Sequence, residues 1–385
     1  MSIRPIYLDC HATTSVDERV LAAMLPYFTE KFGNPASISH VYGWEAEAAV
    51  KQTREILAAA INATPEEIVF TSGATEANNL AIKGVAETYF KKGQHIITVA
   101  TEHSAVIDPC NYLKSLGFEI TILPVQKDGL IDLTELKKAF RPETILVSVM
   151  AANNEIGVLQ PLAEIGEMCH EHNIIFHTDA AQAIGKIPLD VQAMKIDLMS
   201  LTAHKVYGPK GIGALYVRRR DRRVQLAPQQ HGGGHERGMR SGTLYTPQIV
   251  GFGKAVEIAL AEQATETQRL TQLRQRLWEQ LSQVEGIHLN GHPEQRLAGN
   301  LSISVEGVDG AALLLGLQPV MAISSGSACS SAHTAPSHVL TALGHPQQLA
   351  YASIRFGIGR FNTEEEIDIA AKHAIATIQS LQNKR

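Results

Sequence analysis

Between Glu67 and Val217 the chain alternates short β-branched runs with segments whose apolar residues recur at helical spacing. That alternation constrains the fold more than any other feature of the sequence. Ile68-Val69-Phe70 precedes a helical stretch from Thr75 to Lys91, and His95-Ile96-Ile97-Thr98-Val99 follows it. Further strand-like runs cover Phe118 to Leu123, Ile145 to Met150, Ile174 to Phe176 and Asp197 to Leu201. A helical pattern lies between Pro161 and His172, with Pro161 suited to a first turn. Strands separated by helices are too far apart in sequence to pair as hairpins, so the expected class is α/β, a mainly parallel sheet covered on both faces. Ligands of such sheets sit beyond the carboxyl ends of the strands. Residues just after each strand are therefore the functional candidates.

After Ser241-Gly242-Thr243 the pattern changes. Ile249 to Leu281 reads as one long helix with a charged face, followed by strands at Asn300 to Val305, Val320 to Ile323 and Ser353 to Ile358. The expected division is a large unit over 15–260 and a smaller α+β unit made of 1–14 and 261–385. With 44% hydrophobic and 19% charged residues the chain can bury a sizeable core, which excludes a disordered protein. Its 34 Lys and Arg against 39 Asp and Glu leave a net charge of −5, so no positive field invites nucleic acid. No apolar run approaches the ~20 residues that span a bilayer, and the N-terminus lacks the apolar core of a signal peptide. The four cysteines, Cys10, Cys110, Cys169 and Cys329, form no Cys-x-x-Cys pair. A soluble, cytoplasmic protein in a reducing compartment is expected, without a membrane or nucleic-acid partner.

Five strand ends carry groups with chemistry. Thr71-Ser72-Gly73-Ala74-Thr75-Glu76 joins a strand to a helix; its backbone N–H groups and the Thr75 hydroxyl suit an anion, or simply cap the helix. His103 in Thr101-Glu102-His103-Ser104 can stack on an aromatic ring and move protons near neutral pH. Asn153-Asn154 offers amide donors. Asp179, in His177-Thr178-Asp179-Ala180-Ala181-Gln182, either caps a helix or meets a cation such as a protonated pyridine nitrogen, with Gln182 in reach of a ring oxygen. Thr202, His204 and Lys205 end the run Ser200-Leu201-Thr202-Ala203-His204-Lys205. A lysine fixed at a strand end inside a cleft serves as nucleophile and base; on a surface turn it would be merely solvated. Phosphate cradle, ring stacker, amide, carboxylate and lysine are together the requirements of a pyridoxal 5'-phosphate site.

Two motifs point elsewhere and fail. His231-Gly232-Gly233-Gly234-His235 resembles an esterase oxyanion loop, but no Gly-x-Ser-x-Gly elbow accompanies it. The same histidines lack the partners of a metal site, so no metal is expected. The run Arg218 to Arg223, interrupted by Asp221, reads as solvated surface or as a dock for an acidic protein.

Tyr7-Leu8-Asp9, Ala12-Thr13-Thr14, Gly33 to Ser37, Thr71 to Thr75, Asn153 to Gly157, Ala203-His204-Lys205 and His231 to Thr243 stand in an order that resembles the cysteine desulfurases. These are fold-type-I pyridoxal-phosphate enzymes of the class-V aminotransferase group, and the resemblance runs from about Pro5 to Glu366. It implies that Lys205 carries the cofactor covalently, that Asp179 pairs with its ring nitrogen, and that His103 stacks on the ring. It also implies that Gln182 bonds the ring oxygen, and that Ala74, Thr75, Thr202 and His204 hold the phosphate. Thr243 would reach across from the other subunit of a homodimer, and Asn154 and Arg355 would bind the substrate carboxylate. The pair Cys10-His11 falls at positions that vary among such relatives, and Thr202 stands where serine is usual. The chain ends at Arg385, short of the tail with which some relatives dock an iron–sulfur scaffold.

Ser324-Ser325-Gly326-Ser327-Ala328-Cys329-Ser330-Ser331 sets Cys329 among small polar residues, unlike Cys169 among helical apolar positions or Cys110 near an expected helix start. The loop resembles that of desulfurases whose cysteine carries persulfide to iron–sulfur scaffold or thiolation proteins. The expected reaction converts L-cysteine to L-alanine, with sulfur left on Cys329. A selenocysteine lyase of the same fold is the alternative, and a scaffold without activity has no use for Lys205, Asp179 and Cys329 together.

Overall fold

The computed structural model describes residues 4–325 and 336–383. Its strands are β1 (Ile6–Tyr7), β2 (Ile68–Thr71), β3 (His95–Val99), β4 (Glu119–Leu123), β5 (Thr144–Ser148), β6 (Ile175–Asp179), β7 (Leu198–Thr202), β8 (Gly213–Val217), β9 (Ile287–Leu289), β10 (Asn300–Val305), β11 (Met321–Ala322) and β12 (Ser353–Gly357). Seven of them form one sheet in the order β2-β8-β7-β6-β5-β3-β4. The pairs from β7 through β4 are parallel, and β8 alone runs against its neighbours β7 and β2. The sheet is thus mainly parallel, and the carboxyl ends of β2, β3, β5, β6 and β7 share one edge. Strand β8 escapes the sequence reading because it opens on a glycine just after a Gly/Pro-rich turn, with no polar alternation to mark it.

Burial explains why these strands read as continuous apolar runs. Every residue of β3, β5, β6, β7 and β8 is buried, whereas the edge strand β4 exposes Glu119 and Ile122. Neighbouring residues divide between the faces: Val69, Ile96, Leu146 and Ile175 pack under the helix Ala74–Tyr89. Phe70, Ile97, Val147 and Phe176 pack on the other face against the helices Val41–Ala60 and Thr246–Leu281. Each large side chain so buried contributes on the order of 1.5–3 kcal/mol. A second core gathers Leu8, Leu301, Ile303, Ile354, Phe356 and Ile378 around the antiparallel sheet β12-β10-β9 and the β1-β11 pair. The helix Thr246–Leu281 serves both, burying Ile249, Phe252 and Val256 in the first core and Leu273, Leu277 and Leu281 in the second. Among the described residues no helix is long and apolar enough to cross a membrane.

Two glycines shape the turn between β2 and the helix Ala74–Tyr89. Gly73 has φ +153°, a conformation that side chains rarely adopt. A Cβ on Gly213 would stand 2.5 Å from the Leu201 carbonyl oxygen and 2.7 Å from the Gly73 Cα. The arginine run is partly structural: Arg218 donates to the Val191 and Ile196 carbonyls, and Arg218 and Arg222 both approach Asp197, while Arg220 and Arg223 are exposed.

Two outcomes follow from this packing. Gly213→Val forces backbone apart and should cost about 2 kcal/mol in urea unfolding; an unchanged midpoint would contradict the close approach. His177 is fully buried between the Ser148 and Ser200 hydroxyls at 2.8 and 3.0 Å, and burial pushes its pKa down to about 3. The unfolded chain therefore takes the proton first, near its ordinary value of ~6.5, and acid favours unfolding. At pH 5 this histidine should cost about 2 kcal/mol relative to neutral pH, a slope that His177→Gln removes when urea midpoints are compared across pH.

Candidate active site

The shared edge of β2, β3, β5, β6 and β7 opens into a cavity of about 560 Å³. Ala74, Thr75, His103, Asn154, Asp179, Gln182, Thr202, His204 and Lys205 all line it, so nine of the residues singled out in the sequence come together. Two others do not line it in the single chain. Arg355 is buried behind Asn154, and Thr243 is exposed on the surface. Cys329 lies outside the described residues.

One end of the cavity is built for an anion. The helix Ala74–Tyr89 presents its first N–H groups there, with the partial positive charge of a helix start. Thr75 and Thr202 add hydroxyls, and His204 adds an imidazole steadied by Thr13 at 3.1 Å. Burial, with Lys205 nearby, lowers the His204 pKa to about 4, so the ring is neutral. The turn itself is fixed by Glu76, which accepts from the Ser72 N–H at 2.7 Å and from Arg240 at 2.7 Å. That pair ties the turn to the segment of His231 to Thr243.

The same cavity also carries a carboxylate suited to a cation. Asp179 is 5% exposed and accepts from Asn78 Nδ2 at 2.7 Å and from the Ala181 N–H at 2.9 Å. Both donors are neutral, and among the described residues no cationic side chain forms an ion pair with it. The cap expected of Asp179 is therefore real as a turn, and it leaves the carboxylate at the cavity. His103 heads the helix Ser104–Ser115, and its Nδ1 accepts from the Ala105 N–H at 3.0 Å. A backbone N–H only donates, which assigns the ring proton to Nε2. Burial lowers the His103 pKa, against a smaller opposing pull from Asp179. Glu102, just before it, is fully buried with one oxygen on the Met150 N–H at 2.6 Å; burial raises its pKa well above the usual carboxylate range.

Lys205 faces these groups from the end of β7. Its ammonium donates to the carbonyls of His11 and Ala12, the latter at 2.7 Å. Gln182 Nε2 donates to the same His11 carbonyl at 2.8 Å. Arg355 donates to the Asn154 carbonyl at 2.8 Å and to Asp9 at 2.6 Å, and its Nε has no protein partner among the described residues. Burial holds the other thiols protonated: Cys10 is pushed up to about 11 and Cys110 to about 12, and Cys169 is also raised. Cys110 sits in the middle of its helix rather than near the start.

The residues present fit pyridoxal 5'-phosphate. The anion cradle takes a phosphate, and the Asp179 carboxylate takes a protonated ring nitrogen. Lys205 lies in the same cavity to receive the aldehyde carbon. Sequence reading missed Asn78, Asp9, Lys186 and the backbone of His11. Asn78 was legible in part, because it stands three residues after Thr75, on one face of the same helix. Nothing local marks the others, whose partners lie far away in sequence.

Comparisons with known proteins cover nearly the whole chain. The family model described as aminotransferase class-V matches residues 6–369. Similar proteins include a cysteine desulfurase IscS of Tolumonas auensis, 59% identical over 95% of this chain and 91% of the relative. A cysteine desulfurase of Mus musculus is 53% identical over 99% and 83%. Among solved structures, a NifS-like protein matches with a TM-score of 0.91 at 38% identity, covering 98% of this chain and all of the other. SspA in complex with cysteine matches at 0.83 and 40%, covering 93% and 100%. The chain belongs to the class-V aminotransferase family, on the fold of its pyridoxal-phosphate enzymes.

Proposed function

We propose that this chain is a pyridoxal-phosphate-dependent cysteine desulfurase, which takes sulfur from L-cysteine and releases L-alanine. The observation that carries the reading is Lys205 and Asp179 lining one cavity, in a chain that resembles cysteine desulfurases along almost its whole length. Lys205 holds the cofactor; Ala74, Thr75, Thr202 and His204 hold its phosphate, and Asp179 its ring nitrogen. Bound there, the cofactor supplies an electron sink for the charge left when Cα loses its proton.

The chain's own groups do the rest. Arg355, with Asn154 before it, receives the substrate carboxylate; a planar guanidinium with a spare buried N–H suits that task. Lys205, in the same cavity, would take the Cα proton as the base. His103, which lines the same cavity with its proton on Nε2, hands protons to and from the substrate. The Cys329 thiolate attacks the substrate sulfur: a sulfur–sulfur bond forms, the sulfur–Cβ bond breaks, and its electron pair stays on carbon, which takes up a proton. The products are alanine and a persulfide on Cys329, and the exchange balances without an outside oxidant. Support for Cys329 comes from the other three thiols, which burial keeps protonated and therefore poorly nucleophilic.

The unit of function is a homodimer in the cytoplasm, passing sulfur to iron–sulfur scaffold or thiolation proteins. An exposed apolar group of Phe28, Phe32, Ile38, Tyr42 and Trp44 supports the dimer, as does Tyr245, which packs edge-on to Phe28 and stands two residues from Thr243. The division into 15–260 and 1–14 with 261–385 is supported by the two larger cores, although Leu297 joins the first and Ile156 and Val158 pack with Val339 and Leu340 across the boundary.

Purified protein given L-cysteine and a reductant should yield alanine and sulfide in equal amounts. Cys329→Ser should keep the yellow cofactor and lose both products, and Lys205→Ala should lose the colour. Turnover retained in Cys329→Ser would sink the assignment of that thiol; a yellow protein active only on selenocysteine would favour the lyase. Sedimentation should give the mass of two chains, and Trp44→Glu should shift it toward one; a monomeric wild type would sink the dimer.

A further inference from the structure

A small cavity of about 40 Å³ lies directly behind the catalytic one, and Lys186 reaches into it from the turn after β6. The proposed mechanism gives this lysine no part. Its Nζ donates to Gln182 Oε1 at 2.9 Å. The same oxygen lies 3.3 Å from His11 Nδ1, and Gln182 Nε2 donates to the His11 carbonyl at 2.8 Å. The orientation of the amide is therefore assigned by the His11 carbonyl, which only accepts and so must face the amide nitrogen. One N–H of Gln182 is spent on His11. Gln182 is 3% exposed and lines the catalytic cavity, which is where its second N–H remains to be used.

Building on the cofactor reading above, we infer that Lys186 is a positioning residue: it holds and polarises the Gln182 carboxamide so that its free N–H donates to the ring oxygen of pyridoxal phosphate. A charged donor on the amide oxygen draws electron density from the amide nitrogen, and successive hydrogen bonds strengthen one another in a dry setting. The surroundings leave the ammonium to this task. Glu266, the nearest carboxylate of the helix Thr246–Leu281, is paired with Arg360 at 2.9 Å. The Cys10 thiol beside the cavity is held protonated by burial, and the Tyr207 hydroxyl is likewise raised. The remaining charged neighbour, Arg355, is a cation and does not compete, and Lys205 is occupied by the cofactor on the reading above. Desolvation, reinforced by Lys205, lowers Lys186 to about 7; the amine still donates to Gln182 when neutral, with less polarisation.

The test reads the cofactor's own colour. In the bound cofactor a titrating proton is shared with the ring oxygen, so a donor on that oxygen and a cation behind it favour its loss. Lys186→Met should move the midpoint of the visible absorbance titration upward by about one pH unit. Lys186→Arg, which also only donates, should restore the wild-type midpoint. In a Gln182→Leu background Lys186→Met should add little, because the two act as one unit. An unchanged midpoint in Lys186→Met, or shifts that add fully with Gln182→Leu, would overturn the inference. If Lys186→Met does not fold, judged by near-ultraviolet circular dichroism, Lys186→Gln replaces it with a shift expected in the same direction. A wild type with no visible band would instead sink the cofactor reading at Lys205, whereas a normal band unmoved by these variants sinks Lys186 alone.

Discussion

The backbone of residues 4–14 stitches the molecule together, and the catalytic edge depends on it. On one side Ile6 and Leu8 donate to Val320 and Ala322, while Leu8 accepts from Gly357, so the segment is woven into the smaller core. On the other side the His11 and Ala12 carbonyls accept from Lys205, His11 accepts from Gln182, and Thr14 bonds the His204 carbonyl through both its N–H and its hydroxyl. Carbonyl oxygens offer lone pairs at fixed positions, and these fix the lysine head and the amide relative to the sheet. Asp9, in the middle, pairs with Arg355. Eleven residues thus connect Lys205, Gln182 and Arg355.

Electrostatics around the cavity rest on a division of charge states. His11, His177 and His204 are kept neutral by burial, and Glu102 is kept protonated by the same cause. Asp179 accepts from the Asn78 amide and the Ala181 N–H, which fix the direction in which its carboxylate faces the cavity. A field assembled in this way does not reorganise when charge develops on a bound ring, which is how a fixed environment lowers a barrier.

Much of this was legible in the sequence for a physical reason. Buried parallel strands need continuous apolar runs, and a ligand site at their carboxyl ends needs polar residues immediately afterwards; Val99 to His103 and Leu201 to Lys205 show both at once. The same reasoning could not reach β8, whose opening Gly213 is chosen for its close approach to Gly73 rather than for strand propensity. It placed Arg355 on a strand, but the arginine's partners, Asp9 and Asn154, lie 346 and 201 residues away and emerge only from folding. Asn78 and Lys186 were passed over because each acts through another side chain. The arginine run was read as one surface feature, whereas Arg218 and Arg222 turn inward to Asp197.

The helix Thr246–Leu281 has 36 residues, which at 1.5 Å each makes a rod of about 54 Å. Its first third is set in one core and its last third in the other, and its exposed middle is lashed by Glu262 to Arg19 and by Glu266 to Arg360. Such a rod transmits torque. Its Glu266 lines the same small cavity as Lys186, so the rod that joins the two cores also walls the space behind the catalytic cavity.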